Sequence, residues 1–191
     1  MDADIGDITE RAPMATIPII ETDRLVLRSF REEDAPAVAR ILSTPRMFEH
    51  TLPLAYPYPV ETAAGWIRSH AADAARGVKL QWAITFPDDT LIGTVSLALD
   101  QDPPKGDLGY WISVGHRNHG YATEAVRAAI AHGFGQLRLP RIEGMCYATN
   151  AASIRVLEKS GLVLERRLSG HIVVKGQPHD VLLYAVHPGD G

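Results

Sequence analysis

Between residues 108 and 137 the hydrophobic period of the chain changes within a few positions. In the run Leu108 to Val114, Tyr110, Ile112 and Val114 share one side and Trp111 and Ser113 the other, which is the alternation of a strand. From His119 to Leu137, Ala122, Val126, Ala129, Ile130, Phe134 and Leu137 form the stripe of a helix. A strand that hands over to a long helix requires a sheet with helices packed on it, so the fold class expected is α/β or α+β. The junction Val114-Gly115-His116-Arg117-Asn118-His119-Gly120-Tyr121-Ala122 is also the most chemical stretch of the chain. Gly120 permits close approach to the backbone, and the first turn of the helix offers unpaired N–H groups and a favourable dipole to a phosphate. Arg117 adds directional donors, although a surface arginine is the commoner meaning of that residue taken alone.

Elsewhere the same periodicities mark out further elements. Arg24 to Phe30 reads as a first strand, and Asp34 as the cap of a helix that has Pro36 in its first turn and is stopped by Pro45. Val60 to Arg76 reads as a second helix with Ala63, Trp66, Ile67, Ala71 and Ala74 on its buried stripe. Between them, Met47 to Pro59 is rich in proline and aromatics and contains Glu49 and His50, which suits either a loop that selects substrate or ordinary packing of helix ends. Leu80 to Phe86 and Leu91 to Leu99 alternate as a hairpin turning at Asp88 and Asp89, and a Pro103-Pro104 loop follows. Ile142 to Tyr147 reads as a strand, Asn150 to Ser160 as a helix ending at Gly161, and Val181 to Val186 as a last strand.

With 191 residues, one hydrophobic core is the natural expectation: a single domain over residues 19–187, a flexible leader at 1–18 and a short tail at 188–191. The basic residues are dispersed in a chain of net charge -4, which argues against a nucleic-acid partner. No run approaches the roughly 20 apolar residues of a membrane span and the start lacks a signal-peptide pattern, so a cytoplasmic protein is expected. The single Cys146 lies in an apolar run and reads as a buried hydrophobe. His116 and His119 lack a supporting acidic cluster, so no metal is expected.

The segment Arg117 to Ala122 resembles the pyrophosphate-binding signature of the GNAT family of acyl-CoA-dependent N-acetyltransferases: arginine or glutamine, two variable residues, glycine, one variable residue, then glycine or alanine. Gly109-Tyr110-Trp111-Ile112 before it, Thr123-Glu124-Ala125 after it, and the block from Asn150 to Gly161 extend the resemblance. These blocks, with the tail Gly176 to Tyr184, are similar to the branch that acetylates N-terminal amines of ribosomal proteins. The resemblance implies a GNAT fold: a central mixed, mostly antiparallel sheet of about seven strands, helices on both faces, and a V-shaped opening between the fourth and fifth strands, here Leu108 to Val114 and Ile142 to Tyr147.

It implies acetyl-CoA as co-substrate. Backbone groups of Ile112 and Val114 would meet the pantetheine arm. Amides of Arg117, Asn118, His119, Gly120, Tyr121 and Ala122 would meet the pyrophosphate, with Asn150 also in the cofactor set. Transfer would be direct, within a ternary complex, to a primary amine. A protein N-terminus is preferred; a polyamine, aminoglycoside or other small amine is the alternative, and an inactive acyl-CoA-binding module a second one. Glu49, His50 and Trp111 are the substrate-side candidates, and Glu49, His50 and Glu143 the candidate bases, with Glu143 preferred. Ser153 stands four positions before Leu157, where many family members carry a tyrosine, and is the candidate donor to the departing sulfur. A helix-cap role is its rival. The protein is expected to act as a monomer or homodimer.

Overall fold

The computed structural model describes residues 17–48, 56–174 and 176–190. Glu49 and His50, most of the expected leader (residues 1–16), and the last residue of the expected tail lie outside the described residues.

Eight strands form one sheet. In chain order they are β1 (Ile20–Glu21), β2 (Val26–Ser29), β3 (Lys79–Thr85), β4 (Leu91–Gln101), β5 (Pro104–Ile112), β6 (Ile142–Tyr147), β7 (Val163–Val174) and β8 (Gln177–Val186). Their order across the sheet is β1-β2-β3-β4-β5-β6-β8-β7. Every neighbouring pair is antiparallel except β5 and β6. The helices are α1 (Ala35–Leu42), the one-turn α2 (Pro45–Phe48), α3 (Val60–Ala75), α4 (Tyr121–Gly135) and α5 (Ala151–Lys159).

The alternation along β3 divides the core between the two faces. Leu80, Trp82 and Ile84 pack with Ala125, Val126, Ala129 and Ile130 of α4 and Leu157 of α5. Ala83 packs with Val38 of α1 and Ala63 and Ile67 of α3. Helices therefore cover both faces, and burying each large apolar side chain contributes roughly 1.5–3 kcal/mol.

Several local expectations are corrected. Asp34 occupies the position before α1 but makes no side-chain cap; its carboxylate takes Arg28 at 2.8 and 2.9 Å and the Arg31 amide at 2.8 Å. The carboxylate is shared between the buried guanidinium and the amide that opens the preceding 3-10 turn, Glu32–Asp34, and so is not turned forward to the α1 amides. α1 ends at Leu42, and Pro45 opens α2 instead of acting as a stop, since proline suits a first helical turn. Pro104 begins β5, where a missing amide at the first strand position is tolerated. On α3 it is His70, not Ala71, that is buried. The sheet has two strands beyond those read from periodicity. β1 is two residues long, and β7 is an edge strand whose mostly exposed side chains supply no alternating pattern.

The expected opening lies between β5 and β6, the fifth and sixth strands once β1 is counted. These two pair only at Gly106 with Ile142, Asp107 with Glu143 and Leu108 with Gly144. Beyond Leu108, β5 continues beside β4 alone, through Tyr110 with Val95 to Ile112 with Gly93. Met145 to Tyr147 of β6 continue beside β8 alone. Gly144 lets α5 close over the paired end: a Cβ there would stand 2.7 Å from Leu157 Cδ2.

Candidate active site

The opening widens into a cavity of about 370 Å³ between the end of β5, the start of α4 and one face of α5. The β5 side is Tyr110, Trp111 and Ile112. After Ile112 the chain makes a one-turn 3-10 segment, Val114–His116, fastened by Ser113 Oγ at 2.7 Å from His116 Nδ1. It then reaches α4 through two left-handed residues, Asn118 at φ 66° and Gly120 at φ 82°. Such a conformation turns successive amides toward one side, a concavity suited to anions. Gly120 is the N-cap of α4 and has no side chain to accept from the first-turn amides. Those donors stay oriented at the cavity, where Gly120, Tyr121, Ala122 and Thr123 all contribute to the lining.

Side-chain contacts hold this loop from outside. Arg24 donates to the His119 carbonyl at 3.0 Å, to Glu124 through Nε at 2.7 Å, and lies 4.8 Å over the Tyr121 ring. Glu124 also accepts from the Thr22 hydroxyl at 2.7 Å and from the Arg24 amide at 2.9 Å. Burial pushes the Glu124 carboxyl up, but these hydrogen bonds outweigh it and leave it below its ordinary value. Phe86 meets both His116 and Tyr121 edge-on, and His119 stacks on Tyr121. Arg117 reaches back to the Ile112 carbonyl at 3.3 Å and to the Met47 sulfur at 2.9 Å, and both Arg117 and Met47 line the cavity.

α5 supplies the opposite wall through Ala152, Ser153, Arg155, Val156 and Lys159, with Asn150 at its start. The helix is capped by Asn150, whose side-chain oxygen accepts from the Ser153 amide at 3.1 Å. Ser153 thus gives the cap its backbone and leaves its hydroxyl available. That hydroxyl lies 2.7 Å from the Tyr110 hydroxyl, which also reaches the Ser153 carbonyl at 3.1 Å. Burial pushes the Tyr110 phenol up to about 12, so it stays a neutral donor. When Tyr110 donates to the Ser153 hydroxyl, the serine proton is released to point into the cavity; when it donates to the carbonyl, the serine proton turns back to Tyr110.

Of the residues singled out from sequence, Trp111, Ile112, Arg117, Asn118, Gly120, Tyr121, Ala122, Asn150 and Ser153 meet around this cavity. Val114 and His119 do not line it: the Val114 carbonyl faces the Arg117 amide at 3.4 Å, and the His119 carbonyl is held by Arg24. Glu143 lies in the paired end of the two strands, away from the lining. Lys105 and Arg141 donate to its two oxygens at 2.7 and 2.8 Å. Burial raises this carboxyl, but the two cations outweigh burial and hold it below its ordinary value. A base working near neutral pH needs the opposite shift. Cys146 is buried as expected, and desolvation raises its thiol.

Tyr110, Arg155 and Lys159 were not among the sequence candidates. Tyr110 shares its side of the strand with Ile112, so its facing was legible, but its partner is 43 positions away. Positions 152, 155, 156 and 159 are spaced as one helical face, a signal that could have located the two cations.

The sequence model of the acetyltransferase (GNAT) domain matches residues 24–163. An uncharacterized N-acetyltransferase, YoaA of Bacillus subtilis, is 32% identical over 171 residues, covering 88% of this chain and 96% of its own. The ribosomal-protein-serine acetyltransferase of Escherichia coli is 31% identical over 101 residues, covering 52% of this chain and 56% of its own. Among solved structures, Mycobacterium smegmatis RimJ in complex with CoA-disulfide shares the fold at a TM-score of 0.77, with 24% identity over 86% of this chain and 82% of that one. A strand opening, an uncapped helix start after two left-handed residues, and a family match spanning both place the chain in the GNAT acetyltransferase family.

Proposed function

We propose that the protein transfers an acetyl group from acetyl-CoA directly to a primary amine, with a protein N-terminal α-amine as the preferred acceptor. The observation that carries this reading is the charge of the cavity. In a chain of net charge -4, the described residues of its lining include Arg117, Arg155 and Lys159 and no aspartate or glutamate. A polyanionic cofactor suits that wall, the α4 amides suit a diphosphate, and the gap between β5 and β6 leaves strand amides and carbonyls for the pantetheine arm. The CoA complex of the mycobacterial relative supports the cofactor half.

Attack on the thioester needs a neutral amine. An α-amine with pKa about 8 is roughly one-tenth neutral at pH 7, whereas a lysine side chain near 10 is far less so. A strong dedicated base is therefore unnecessary for a peptide terminus, and the carboxylate of Glu143, already held by two cations, is not assigned that role. On the other side of the reaction, negative charge develops on the departing CoA sulfur. Burial pushes the Tyr110 phenol up to about 12, which makes it a poor source of a whole proton for that sulfur. The Ser153 hydroxyl instead donates a hydrogen bond to sulfur as charge develops, with Tyr110 donating to Ser153 behind it, and the net proton comes from the acylated ammonium by way of solvent. The resemblance to ribosomal-protein acetyltransferases favours a peptide acceptor.

The test is turnover with acetyl-CoA and a panel of N-terminal peptides, polyamines and aminoglycosides, reading CoA release and the mass of the acceptor. Rapid acetylation of peptide α-amines is the expected result. Acetylation confined to polyamines, aminoglycosides or internal lysines would remove the peptide assignment and leave the acetyltransferase.

A further inference from the structure

α5 carries one acid and two cations, Glu158, Arg155 and Lys159. Glu158 accepts from the Tyr184 hydroxyl of β8 at 3.2 Å. Arg155 and Lys159, four positions apart and so neighbours on one helix face, both line the cavity. Among the described residues neither side chain has an acidic partner. Like charges at this spacing repel, and a position in the last turn, where the helix dipole favours a cation, accounts for Lys159 only. Arg155 stands in mid-helix and lines the cavity, with no acidic side chain among the described residues to pair with it.

We propose that Arg155 and Lys159 form a subsite for a phosphate monoester, the 3′-phosphate of CoA, separate from the diphosphate position at the start of α4. The inference rests on the acyl-CoA reading and deepens it. A phosphate monoester carries about -1.5 to -2 charges at pH 7 and presents three acceptor oxygens. The arginine fork can take two of them, while the lysine supplies a point charge. The spacing of the two subsites is fixed by the fold: Arg127 of α4 donates to the Lys159 carbonyl through Nε at 3.0 Å and through its second guanidinium nitrogen. That brace ties the end of α5 to the second turn of α4. Because it uses a backbone oxygen, changing the Lys159 side chain leaves it in place. Both side chains are exposed, so their removal leaves the core intact. A ligand with a diphosphate alone fills one subsite; CoA, with its additional ribose phosphate, fills both.

Calorimetric titration of acetyl-CoA and 3′-dephospho-acetyl-CoA at fixed ionic strength decides the point, using the wild type and the double variant Arg155→Ala, Lys159→Ala. The wild type is expected to prefer acetyl-CoA about tenfold, the scale of one charge-assisted phosphate contact. The double variant should lose most of that preference through weaker binding of acetyl-CoA, with its affinity for the dephospho ligand changed less than about twofold. Arg155→Lys should keep part of the preference. Equal wild-type affinities for the two ligands would overturn the subsite. So would a double variant that weakens both ligands by the same factor, because the cations would then be acting on the shared diphosphate. If the wild type binds neither ligand, the acyl-CoA reading itself fails, a result distinct from equal binding.

Discussion

One hydrogen bond separates the side chain of Ser153 from the capping of α5. The cap acceptor of α5 is the Asn150 side chain, and Ser153 contributes only its amide. Ser153→Ala is therefore expected to leave α5 folded, with a melting temperature close to wild type, while pre-steady-state acetyl transfer slows. Tyr110→Phe keeps the ring in the core, removes the other hydroxyl of the pair and should act in the same direction. Each single loss is expected to cost about tenfold or more in the transfer step, as for a donor aimed at developing charge, with acetyl-CoA affinity largely retained. Unchanged transfer in both variants would remove the pair from the reaction. Gly120 is constrained more simply. Its φ of 82° is left-handed, and a Cβ would sit 3.3 Å from an Arg24 guanidinium nitrogen. Gly120→Asp adds roughly 1–2 kcal/mol of backbone strain and a negative charge at the amide cluster, so acetyl-CoA binding by calorimetry should weaken sharply in a folded protein.

At the scale of single elements, α3 carries a buried histidine that has no counterpart in the sequence reading. His70 is 4% exposed, packs edge-on against Trp66 and Phe30, and neither ring nitrogen has a partner among the described residues. Burial brings its pKa down to about 4, with the Lys79 charge working the same way and Asp73 against it. The folded value lies below the unfolded one, so the unfolded chain binds more protons between them. Stability is then fully present above about pH 6.5 and declines as the pH falls toward 4, by about 3 kcal/mol in all. His132 on α4, lowered by burial, acts in the same direction. Urea melts of His70→Phe across this range should show a flatter pH dependence than wild type; an identical slope would place the proton uptake elsewhere. The period of α3 makes its stripe legible through Ala63, Ile67 and Ala74, but places Ala71 on it in the position that His70 takes. A histidine counts as polar in such a pattern, and only packing against Phe30 of a distant segment makes it a core residue.

Across the whole molecule, the paired end of β5 and β6 is held by charges from three separate stretches of chain. Lys105 and Arg141 converge on Glu143, and Arg141 also donates to Glu165. Glu143→Gln removes the carboxylate that both cations share, leaving Arg141 with Glu165 and Lys105 with Asp107, and should lower stability at pH 7 by about 1–2 kcal/mol, read as a fall in the denaturant midpoint. Its kcat/KM profile should keep the acidic limb of the wild type. Loss of that limb would restore Glu143 as the proton acceptor. The order of elements, the strand-to-helix junction with its glycine, the Asn150 cap and the cationic face of α5 are all set by short-range pattern, because period, turn chemistry and capping act within a few residues. The sequence by itself determined those, along with the family they resemble. The tertiary structure alone decided that β7 forms an edge, that β5 and β6 part after three residue pairs, and that Ser153 faces Tyr110 while Glu143 is locked away from the cavity. Those outcomes depend on which strands lie side by side, and burying both faces of an eight-stranded sheet fixes that choice through contacts between residues far apart in the chain.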